Sequence, residues 1–396
     1  MPMSEVPALL RVSIPSAAAL LLVAQLTARV GEPHCTATSL EAALKSVVQP
    51  DEPGFAVLVR SAGRTVVERG YGVRDLHSQA PIDAATNFRL ASCSKQFTAM
   101  AVMLLVEDGK LRYDQPLRST WPDFPDYGKA ITIAELLNHT SGLPSYEALM
   151  DEVQRSAGAR WSPRVQIQDE EVLELLRTAT HGKFAPGTRW SYSNSGYVLL
   201  GLIVAKVSGL SYPEFLRSRI FGPLHMDGTV AYVKGTNEVA RRAYGHQKDG
   251  GSFLEADQSA TSATLGDGGV YSNLVDLAKW DEALEHHTLL SRERMRPALT
   301  PATLLDGSQP YWPDGPEEES LYPGQPVFYG FGWFLDAYRH HGSHPRMWHY
   351  GATIGFRSRI ERYKGDPLTV IVLANRTDLD PEELAHRLAD CFPPLK

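Results

Sequence analysis

Residues 90–95 read Leu-Ala-Ser-Cys-Ser-Lys, and an apolar run from Gln96 to Glu107 follows them, with Gly109 just beyond its end. The apolar spacing of this run predicts a helix, and a glycine after such a run is typical of a helix end. Ser92 therefore lies at or just before a helix N-terminus, where backbone N–H groups have no partner within the helix. Because such N–H groups can stabilise an oxyanion, Ser92 is a candidate nucleophile.

Lys95 lies three residues after Ser92, on the same side of the predicted helix. Burial beside the positive helix end disfavours an ammonium charge, and a neutral lysine could accept the serine proton. A Ser-x-x-Lys spacing also arises by chance in a chain of this length. In that alternative Ser92 only caps the helix and Lys95 is a solvated residue of its first turn.

A second candidate motif, Tyr192-Ser193-Asn194, follows about one hundred residues later, directly before an apolar stretch that begins near Tyr197. A phenol and an amide on one tight turn suit proton transfer and substrate binding, respectively. The same tripeptide recurs as Tyr271-Ser272-Asn273 before Leu274 to Leu284. There Ser272 or Asn273 serves as a helix N-cap, so we assign this copy a structural role.

A third motif, His349-Tyr350-Gly351-Ala352, lies on a predicted strand. A cationic or donor side chain followed by small residues lets a substrate lie along a strand edge, with the backbone N–H of Ala352 as an oxyanion donor. His340-His341-Gly342 has the same spacing but is predicted to be loop. Together with the nearby His344 it resembles a metal-binding cluster. Neither a paired carboxylate nor an HExxH pattern accompanies it, so we predict no metal and no other cofactor.

The 396 residues, 43% of them hydrophobic, suffice for one large domain with an insertion or two medium domains. Lys and Arg total 39 against 46 for Asp and Glu, and the net charge of −7 comes without any basic block, so no nucleic-acid partner is expected. The three cysteines, Cys35, Cys93 and Cys391, lack CxxC spacing. This pattern predicts neither a disulfide framework nor a zinc knuckle and leaves the redox compartment open.

Predicted strands lie near both ends of the chain, and predicted helices fill the middle. We expect residues 1–35 to be a signal or a disordered N-terminus, residues 36–92 and 325–396 to form a sheet domain, and residues 93–324 to form a mainly helical domain with loop excursions. The predicted helix boundaries are a capped helix from Thr38 to Val48, helix starts at Thr132, Asp169 and Ser211, and a last helix opened by Asp380-Pro381. The predicted strands are Phe55 to Arg60, Thr65 to Arg69, Phe328 to Leu335, Met347 to His349, Phe356 to Tyr363 and Leu368 to Ala374.

The N-terminal apolar run, Ala17 to Leu26, follows a single Arg11 and precedes a passable signal-cleavage site at Ala28. It is too short to span a bilayer as a helix, so we expect no stable membrane span. The expectation is a periplasmic or secreted protein. A cytoplasmic location is the alternative, because Glu5 and Pro15 are poor signal-peptide residues.

The ordered set Ser-x-x-Lys, Tyr-x-Asn and His-x-Gly resembles the serine β-lactamase and penicillin-binding protein superfamily, close to class C β-lactamases and their esterase and peptidase relatives. The resemblance spans about Thr38 to Asp390, and residues 136–143, 220–226 and 268–273 also match the family. It implies an α/β fold of the α+β type. In that fold an antiparallel sheet flanked by helices is joined to an inserted all-helical domain, with the active site between them.

The resemblance also implies roles for the motif residues. Lys95 and Tyr192 share the proton of Ser92, and Asn194 holds the carbonyl side of the substrate. The backbone N–H groups of Ser92 and Ala352 form an oxyanion hole, and His349 and Gly351 complete the substrate-binding edge. An acyl-enzyme on Ser92 is then hydrolysed by water.

Class C β-lactamases usually carry lysine where His349 stands, and histidine is only partly charged near neutral pH. We therefore predict a serine hydrolase that cleaves a small-molecule ester, small amide or peptide bond. The alternatives are a class C-like β-lactamase and a penicillin-binding sensor or scaffold without turnover. An α/β-hydrolase is set aside because no serine has glycine both two residues before and two residues after it. Cys93 is predicted to be a small buried helix residue and not a second nucleophile.

Overall fold

The structure is a computed structural model that describes residues 35–311, 326–338, 344–364 and 367–392. Its strands are β1 (Phe55–Ser61), β2 (Arg64–Tyr71), β3 (Val73–Asp75), β4 (Ala80–Pro81), β5 (Phe88–Arg89), β6 (Val230–Ala231), β7 (His246–Asp249), β8 (Ser252–Glu255), β9 (Val270–Ser272), β10 (Phe328–Tyr329), β11 (Phe334–Tyr338), β12 (His344–Thr353), β13 (Phe356–Tyr363) and β14 (Leu368–Ala374). Seven of them form one antiparallel sheet in the order β10-β11-β12-β13-β14-β1-β2. Both ends of the chain therefore contribute to one sheet.

Most of the helices lie between the two groups of sheet strands along the chain. They are α1 (Ala37–Lys45), α2 (Lys95–Glu107), α3 (Ile133–Leu137), α4 (Tyr146–Ala157), α5 (Asp169–Thr178), α6 (Asn194–Ser208), α7 (Tyr212–Leu216), α8 (Leu274–Glu285), α9 (Arg292–Met295) and α10 (Pro381–Asp390). Capping boxes start α3 at Thr132 and α7 at Ser211, as their sequences predict. A left-handed Gly209 ends α6.

Both faces of the main sheet are covered, because every residue of β1 and β14 is buried. Leu58 and Leu373 face a core that includes α2 and α8, whereas Val57 packs with Leu44 of α1 and Leu388 of α10 on the opposite face. An unbroken apolar strand is what a sheet covered on two sides requires. The expected antiparallel sheet flanked by helices is confirmed.

Several predicted boundaries are wrong. The helix predicted from Thr38 to Val48 ends at Lys45, and the strand predicted over Met347 to His349 extends from His344 to Thr353. Thr36, and not Thr38, caps α1, because its side chain accepts a hydrogen bond from the backbone N–H of Ser39. The single strand predicted over residues 328–335 is two strands, β10 and β11, separated by a turn at residues 330–333. Gly332 in that turn has φ +77°, and a Cβ atom there would lie 2.9 Å from the Cα of Gln96. The turn therefore needs glycine both for its backbone conformation and for its packing.

The cysteine pattern predicted no disulfide framework, but the structure has one disulfide, between Cys35 and Cys391. The two residues are 356 positions apart in the chain, so no local spacing could reveal their pairing. They meet because α1 and α10 pack in the same apolar cluster on one face of the sheet. The bond thus connects residues that flank the first and the last helix.

Within the described part of the chain, no single helix is long and apolar enough to cross a membrane. Helices Asn194–Ser208 and Tyr212–Phe221, bent by 76° at the break between them, pass that test only as a pair and only by length and composition. The predicted signal segment, most of residues 306–326, and His340-His341 lie outside the described residues.

Candidate active site

Ser92 lies in a 3-10 turn, Ala91–Ser94, directly before α2. The turn is fixed to β9, the central strand of the small sheet β5-β9-β6. The backbone N–H of Leu90 donates to the carbonyl of Val270 at 2.9 Å, and the Ser94 hydroxyl accepts from the Val270 N–H at 3.1 Å. Ala91 adopts φ +48°, an uncommon conformation for a residue with a side chain. Ser92 itself is partly exposed, so a substrate can reach it.

Lys95, the first residue of α2, is completely buried, and its Nζ lies 3.1 Å from the Ser92 Oγ. The same Nζ donates to Asn194 Oδ1 and to the backbone carbonyl of Asp267, both at 2.8 Å. Burial lowers the pKa of Lys95 to about 8, although the Asp267 and Glu147 carboxylates act in the opposite direction. The predicted Ser92 and Lys95 pair is therefore brought together, with a lysine that can lose its proton near neutral pH.

Asn194 is the first residue of α6, and the Ser193 hydroxyl caps that helix by accepting the N–H of Gly196 at 3.2 Å. The Asn194 amide nitrogen donates to Glu147 Oε1 at 2.7 Å while its oxygen accepts from Lys95. Asn194 therefore bridges Lys95 to Glu147, and one of its two amide hydrogens is left for a substrate.

Tyr192 packs beside the lysine, with the Lys95 Nζ 5.0 Å from the centre of its ring. Burial raises the pKa of the Tyr192 phenol well above its ordinary value, and the neighbouring Ser92 hydroxyl acts in the opposite direction. The phenol oxygen is buried. Among the residues that the structure describes, it has no hydrogen-bond partner at a normal distance and angle. A neutral phenol can relay a proton. Lys95 is the better candidate for the base, because its pKa of about 8 lies closer to neutral pH.

His349 does not present a cationic or free donor group to a substrate, which corrects the role predicted for its side chain. The ring is completely buried, its Nε2 lies 3.0 Å from the Tyr329 hydroxyl, and its Nδ1 lies 2.6 Å from the Tyr350 carbonyl. Burial and the nearby Lys95 lower the pKa of His349 to about 3. The ring is therefore neutral and belongs to the aromatic packing beneath the site.

Gly351 brings β12 against the nucleophile turn. A Cβ atom at Gly351 would fall 2.0 Å from the carbonyl oxygen of Leu90, so only glycine permits this approach. Ala352 follows on the same strand, exposed and paired with Arg357 of β13. The strand that carries the predicted second oxyanion donor thus lies beside Ser92.

Cys93 points away from the reaction site into the core. Its thiol donates to the backbone carbonyl of His349 at 3.3 Å, and burial raises its pKa to about 12. A thiol that remains protonated is a poor nucleophile, in agreement with the structural role predicted for it.

The repeated tripeptide Tyr271-Ser272-Asn273 has the structural role that its sequence predicts. Asn273 is the N-cap of α8, and its side-chain oxygen accepts the N–H of Asp276 at 3.0 Å. The structure therefore separates the two copies, with only Tyr192-Ser193-Asn194 at the nucleophile.

Sequence reasoning missed the role of His139, which lies in the family-like segment 136–143. Its backbone carbonyl accepts the N–H of Ser191 at 3.0 Å, and its Nδ1 accepts the N–H of Ser193 at 3.2 Å. Its ring also lies 4.4 Å from the ring of Tyr192. His139 thus holds the residues on both sides of Tyr192, and only its place in that segment gave any signal.

The arrangement comprises a half-buried hydroxyl, a buried amine that can become neutral, a protonated phenol and a strand edge beside them. These groups suit activation of Ser92 for attack on a carbonyl carbon. No group of three or more His, Cys, Asp or Glu side chains within the described ranges could hold a metal ion.

The Beta-lactamase family model matches residues 37–390. Penicillin-binding protein 4* of Bacillus subtilis (strain 168) is 31% identical to this chain, over 81% of the chain and 68% of that protein. The octameric penicillin-binding protein homologue from Pyrococcus abyssi is similar in structure, with a TM-score of 0.73 and 27% identity over 90% of this chain and 77% of that one. The D-amino acid amidase from Ochrobactrum anthropi SV3 gives a TM-score of 0.67 and 25% identity over 89% of this chain and 98% of that one.

Proposed function

This chain belongs to the Beta-lactamase family, within the serine β-lactamase and penicillin-binding protein superfamily, and from that premise we propose that it is a serine hydrolase. Ser92 forms an acyl-enzyme with a small-molecule ester, amide or peptide substrate. The observation that carries this proposal is the completely buried Lys95, whose Nζ lies 3.1 Å from the Ser92 Oγ and whose pKa is lowered to about 8.

In the acylation step neutral Lys95 takes the proton of the Ser92 hydroxyl as the oxygen attacks the substrate carbonyl carbon. The backbone N–H groups of Ser92 and Ala352 stabilise the oxyanion that forms. As the bond to the leaving group breaks, the proton passes from Lys95 through the Tyr192 phenol to that group. An ester bond to Ser92 and a neutral Lys95 remain.

In the deacylation step a water molecule attacks the ester carbonyl of the acylated Ser92. Lys95, with Tyr192 as the relay, accepts the proton of that water, and the same proton returns to Ser92 when the acyl bond breaks. The products are the free acid and the resting enzyme, so no co-reactant other than water is needed.

For the substrate we propose an ester or a small amide in preference to a β-lactam. Support comes from His349, which is neutral and bonded at both ring nitrogens, so it offers no permanent cation for an antibiotic carboxylate. Similarity to a D-amino acid amidase supports an amide among the substrates. A β-lactamase, and a sensor that acylates without turnover, are the competing functions.

The test is Ser92→Ala, assayed with a chromogenic short-chain ester, a D-amino-acid anilide and a chromogenic cephalosporin. We expect kcat to fall by at least about a thousandfold with the unfolding midpoint unchanged. Ser156→Ala, at an exposed serine near the end of α4, is the matched control and keeps full activity. Retained turnover in Ser92→Ala contradicts the proposal.

Intact-mass measurement after addition of an activated acyl donor separates the competing functions. A transient adduct with released product supports the hydrolase. A lasting adduct without product supports the sensor, and the absence of any adduct supports a scaffold.

We also propose that the protein works in an oxidising compartment, periplasmic or extracellular. The disulfide between Cys35 and Cys391 supports this location, because such bonds persist mainly outside the reducing cytosol. Mass analysis of protein taken from its native compartment, with free thiols alkylated first, tests it. Recovery of the chain with all three cysteines alkylated contradicts it.

A further inference from the structure

A cavity of about 860 Å³ lies outside the set of residues that surround Ser92. Its walls are α6, α7, residues 166–170, residues 229–237 and residues 262–265, and we call it the α6–α7 cavity. Its volume is within the range of pockets that hold small molecules. None of Ser92, Lys95 and Tyr192 lines it.

The inner wall of the α6–α7 cavity is largely apolar, with Leu202, Tyr212, Phe221, Ala231 and Leu265 among its residues. Tyr212, Phe221 and Ala231 are themselves buried. An occupant with an apolar body would therefore remove apolar surface from water on both sides of the contact.

Exposed cations stand on the wall of the same cavity. Arg164, Arg217 and Lys234 are exposed, and the side chains of Arg164 and Lys234 have no hydrogen-bond or ion-pair partner among the residues that the structure describes. Arg217 is close enough to Glu214 to help lower that carboxyl's pKa. The cavity thus offers two uncommitted positive charges to a ligand.

The acidic groups of the wall compensate only part of this charge. The Glu214 carboxylate accepts from the backbone N–H and the hydroxyl of Ser211 in its own helix cap. Asp169 is buried, accepts the N–H of Leu265 at 3.0 Å, and has a pKa raised well above the ordinary value by burial. Among the described residues that line the cavity, the remaining carboxylate is Glu170. Its side chain is exposed and takes no part in a helix cap.

Three consecutive residues connect this cavity to Lys95. Leu265 forms part of its wall, the carbonyl of Gly266 accepts the Thr98 hydroxyl at 2.6 Å, and the carbonyl of Asp267 accepts the Lys95 ammonium at 2.8 Å. On the other wall a Cβ atom at Gly201 would lie 3.2 Å from the Cα of Gly266, so α6 packs closely on the same segment. The wall of the cavity and a hydrogen-bond acceptor of Lys95 therefore lie on one short segment, residues 265–267.

We propose that the α6–α7 cavity binds a small amphipathic monoanion, a carboxylate on an apolar body, and that its occupancy alters proton transfer at Lys95 through residues 265–267. The binding half of this inference is independent of the proposed function, whereas the coupling half rests on it. The cavity is then a regulatory site beside the hydrolytic one.

Binding is tested by calorimetry with N-octanoylglycine and its neutral primary amide as a matched pair. The full chain carrying Ser92→Ala is used, so neither probe is consumed. We expect the carboxylate to bind at least about tenfold more tightly than the amide. Equal affinity for the two probes would contradict the proposal that the ligand is an anion. Absence of binding of both probes would contradict the proposal that the cavity is a binding site.

Variants locate the binding. Arg164→Gln and Lys234→Gln should each weaken the binding of N-octanoylglycine by about threefold to fivefold, as expected for exposed charges. Lys129→Gln, at an exposed lysine outside the cavity, leaves affinity unchanged. Ala205→Trp fills the cavity and abolishes binding, with its unfolding midpoint as the check on folding. Undiminished binding in Ala205→Trp overturns the assignment to this cavity.

Coupling is tested in the chain with Ser92 intact, by the pH dependence of kcat/KM for the ester with and without saturating N-octanoylglycine. We expect the midpoint of the rising limb to move when the probe is bound, and the shift to disappear in Ala205→Trp. If the midpoint still moves in Ala205→Trp, the probe acts by binding beside Ser92. That result would contradict coupling between the α6–α7 cavity and Lys95. An unmoved midpoint, with binding shown by calorimetry, overturns it as well. Absence of hydrolysis would refute the proposed function but leave the calorimetric result to decide the cavity.

Discussion

At Lys95 two electrostatic effects compete. Burial favours the neutral amine, and the carboxylates of Asp267 and Glu147 favour the ammonium. Their balance places the pKa at about 8, so the base form is a minority near pH 7 and grows as the pH rises. The rising limb of kcat/KM in the free enzyme should therefore have its midpoint near that value.

Glu147→Gln should move that rising limb to lower pH. The substitution removes a negative charge that stabilises the Lys95 ammonium, so the pKa of the lysine falls. The pH profile of kcat/KM is the measurement. Glu152→Gln, at an exposed residue of the same helix, is the control and keeps the wild-type profile. A shift of the limb to higher pH would refute the electrostatic role of Glu147.

Residue spacing predicted Ser92, Lys95, Tyr192 and Asn194, because each carries its chemistry in its own side chain. Glu147 escaped notice because it lies 47 positions from Asn194 in the chain, and Asp267 because it binds Lys95 through a backbone carbonyl, which every residue type has. The motif located His349 correctly, but whether a ring faces substrate or core depends on packing partners such as Tyr329.

Among the elements, β12, β13 and α10 share a buried cluster of charges around Glu361. Arg346 and Arg359 donate to Glu361 Oε1 at 3.2 and 2.5 Å, the Tyr363 hydroxyl donates to Oε2 at 2.8 Å, and His386 Nε2 lies 3.4 Å from Oε1. Despite its burial, the two arginines hold the pKa of Glu361 well below its ordinary value. The carboxylate thus links two neighbouring strands to the last helix.

Glu361→Gln should destabilise the protein by about 1–3 kcal/mol, because it removes one carboxylate from two buried guanidinium groups that keep Asp336 and Glu382 as their other partners. Denaturant unfolding at pH 7 measures this. Because the folded-state pKa is depressed, the carboxylate's contribution is present above the unfolded value of about 4.3 and disappears as the pH falls through the folded value. In Glu361→Gln this contribution is absent at every pH, so its free energy of unfolding should fall less than that of the wild type as the pH is lowered.

Glu174→Gln, which removes a surface ion pair with Arg177, is the matched control and should cost less than about 1 kcal/mol. Equal effects of the two substitutions would show that the buried cluster contributes no more than a surface pair.

The elements themselves were largely predictable. The bounds predicted for β13, Phe356–Tyr363, and for the largely apolar strand β14, Leu368–Ala374, are those of the structure. The errors arose where two local signals compete. Thr36 and Thr38 are both residue types that cap helices well, and the structure uses Thr36. Gly332 interrupts the predicted 328–335 strand because α2 lies against it, a long-range contact that periodicity does not report.

At the scale of the whole molecule, the disulfide between Cys35 and Cys391 restricts the unfolded chain over almost its full length. Cys35→Ser should therefore lower the free energy of unfolding by about 2–4 kcal/mol. Denaturant unfolding with and without reductant measures the effect. Reductant should destabilise the wild type by a similar amount and leave Cys35→Ser unchanged, since Cys391 has then lost its partner and Cys93 is buried and unpaired. An unaltered wild type under complete reduction would contradict this.

The overall arrangement followed from the sequence because strand patterns at the two ends and helix patterns between them admit few layouts. The disulfide and the α6–α7 cavity did not follow, because both arise from segments that meet only after folding. Leu265 and Leu202, for example, face one cavity from positions more than sixty residues apart.

The three acceptors around Lys95 decide where its lone pair must point. An ammonium has three hydrogens, and Ser92, Asn194 and Asp267 each accept one of them. When one proton leaves, the carbonyl of Asp267 still needs a hydrogen, and so does the Asn194 oxygen, whose amide is kept from flipping by Glu147. Of the three partners, the serine hydroxyl alone can reverse its polarity. The lone pair of the neutral amine therefore points at the Ser92 hydroxyl, so the transfer of the proton has a fixed direction.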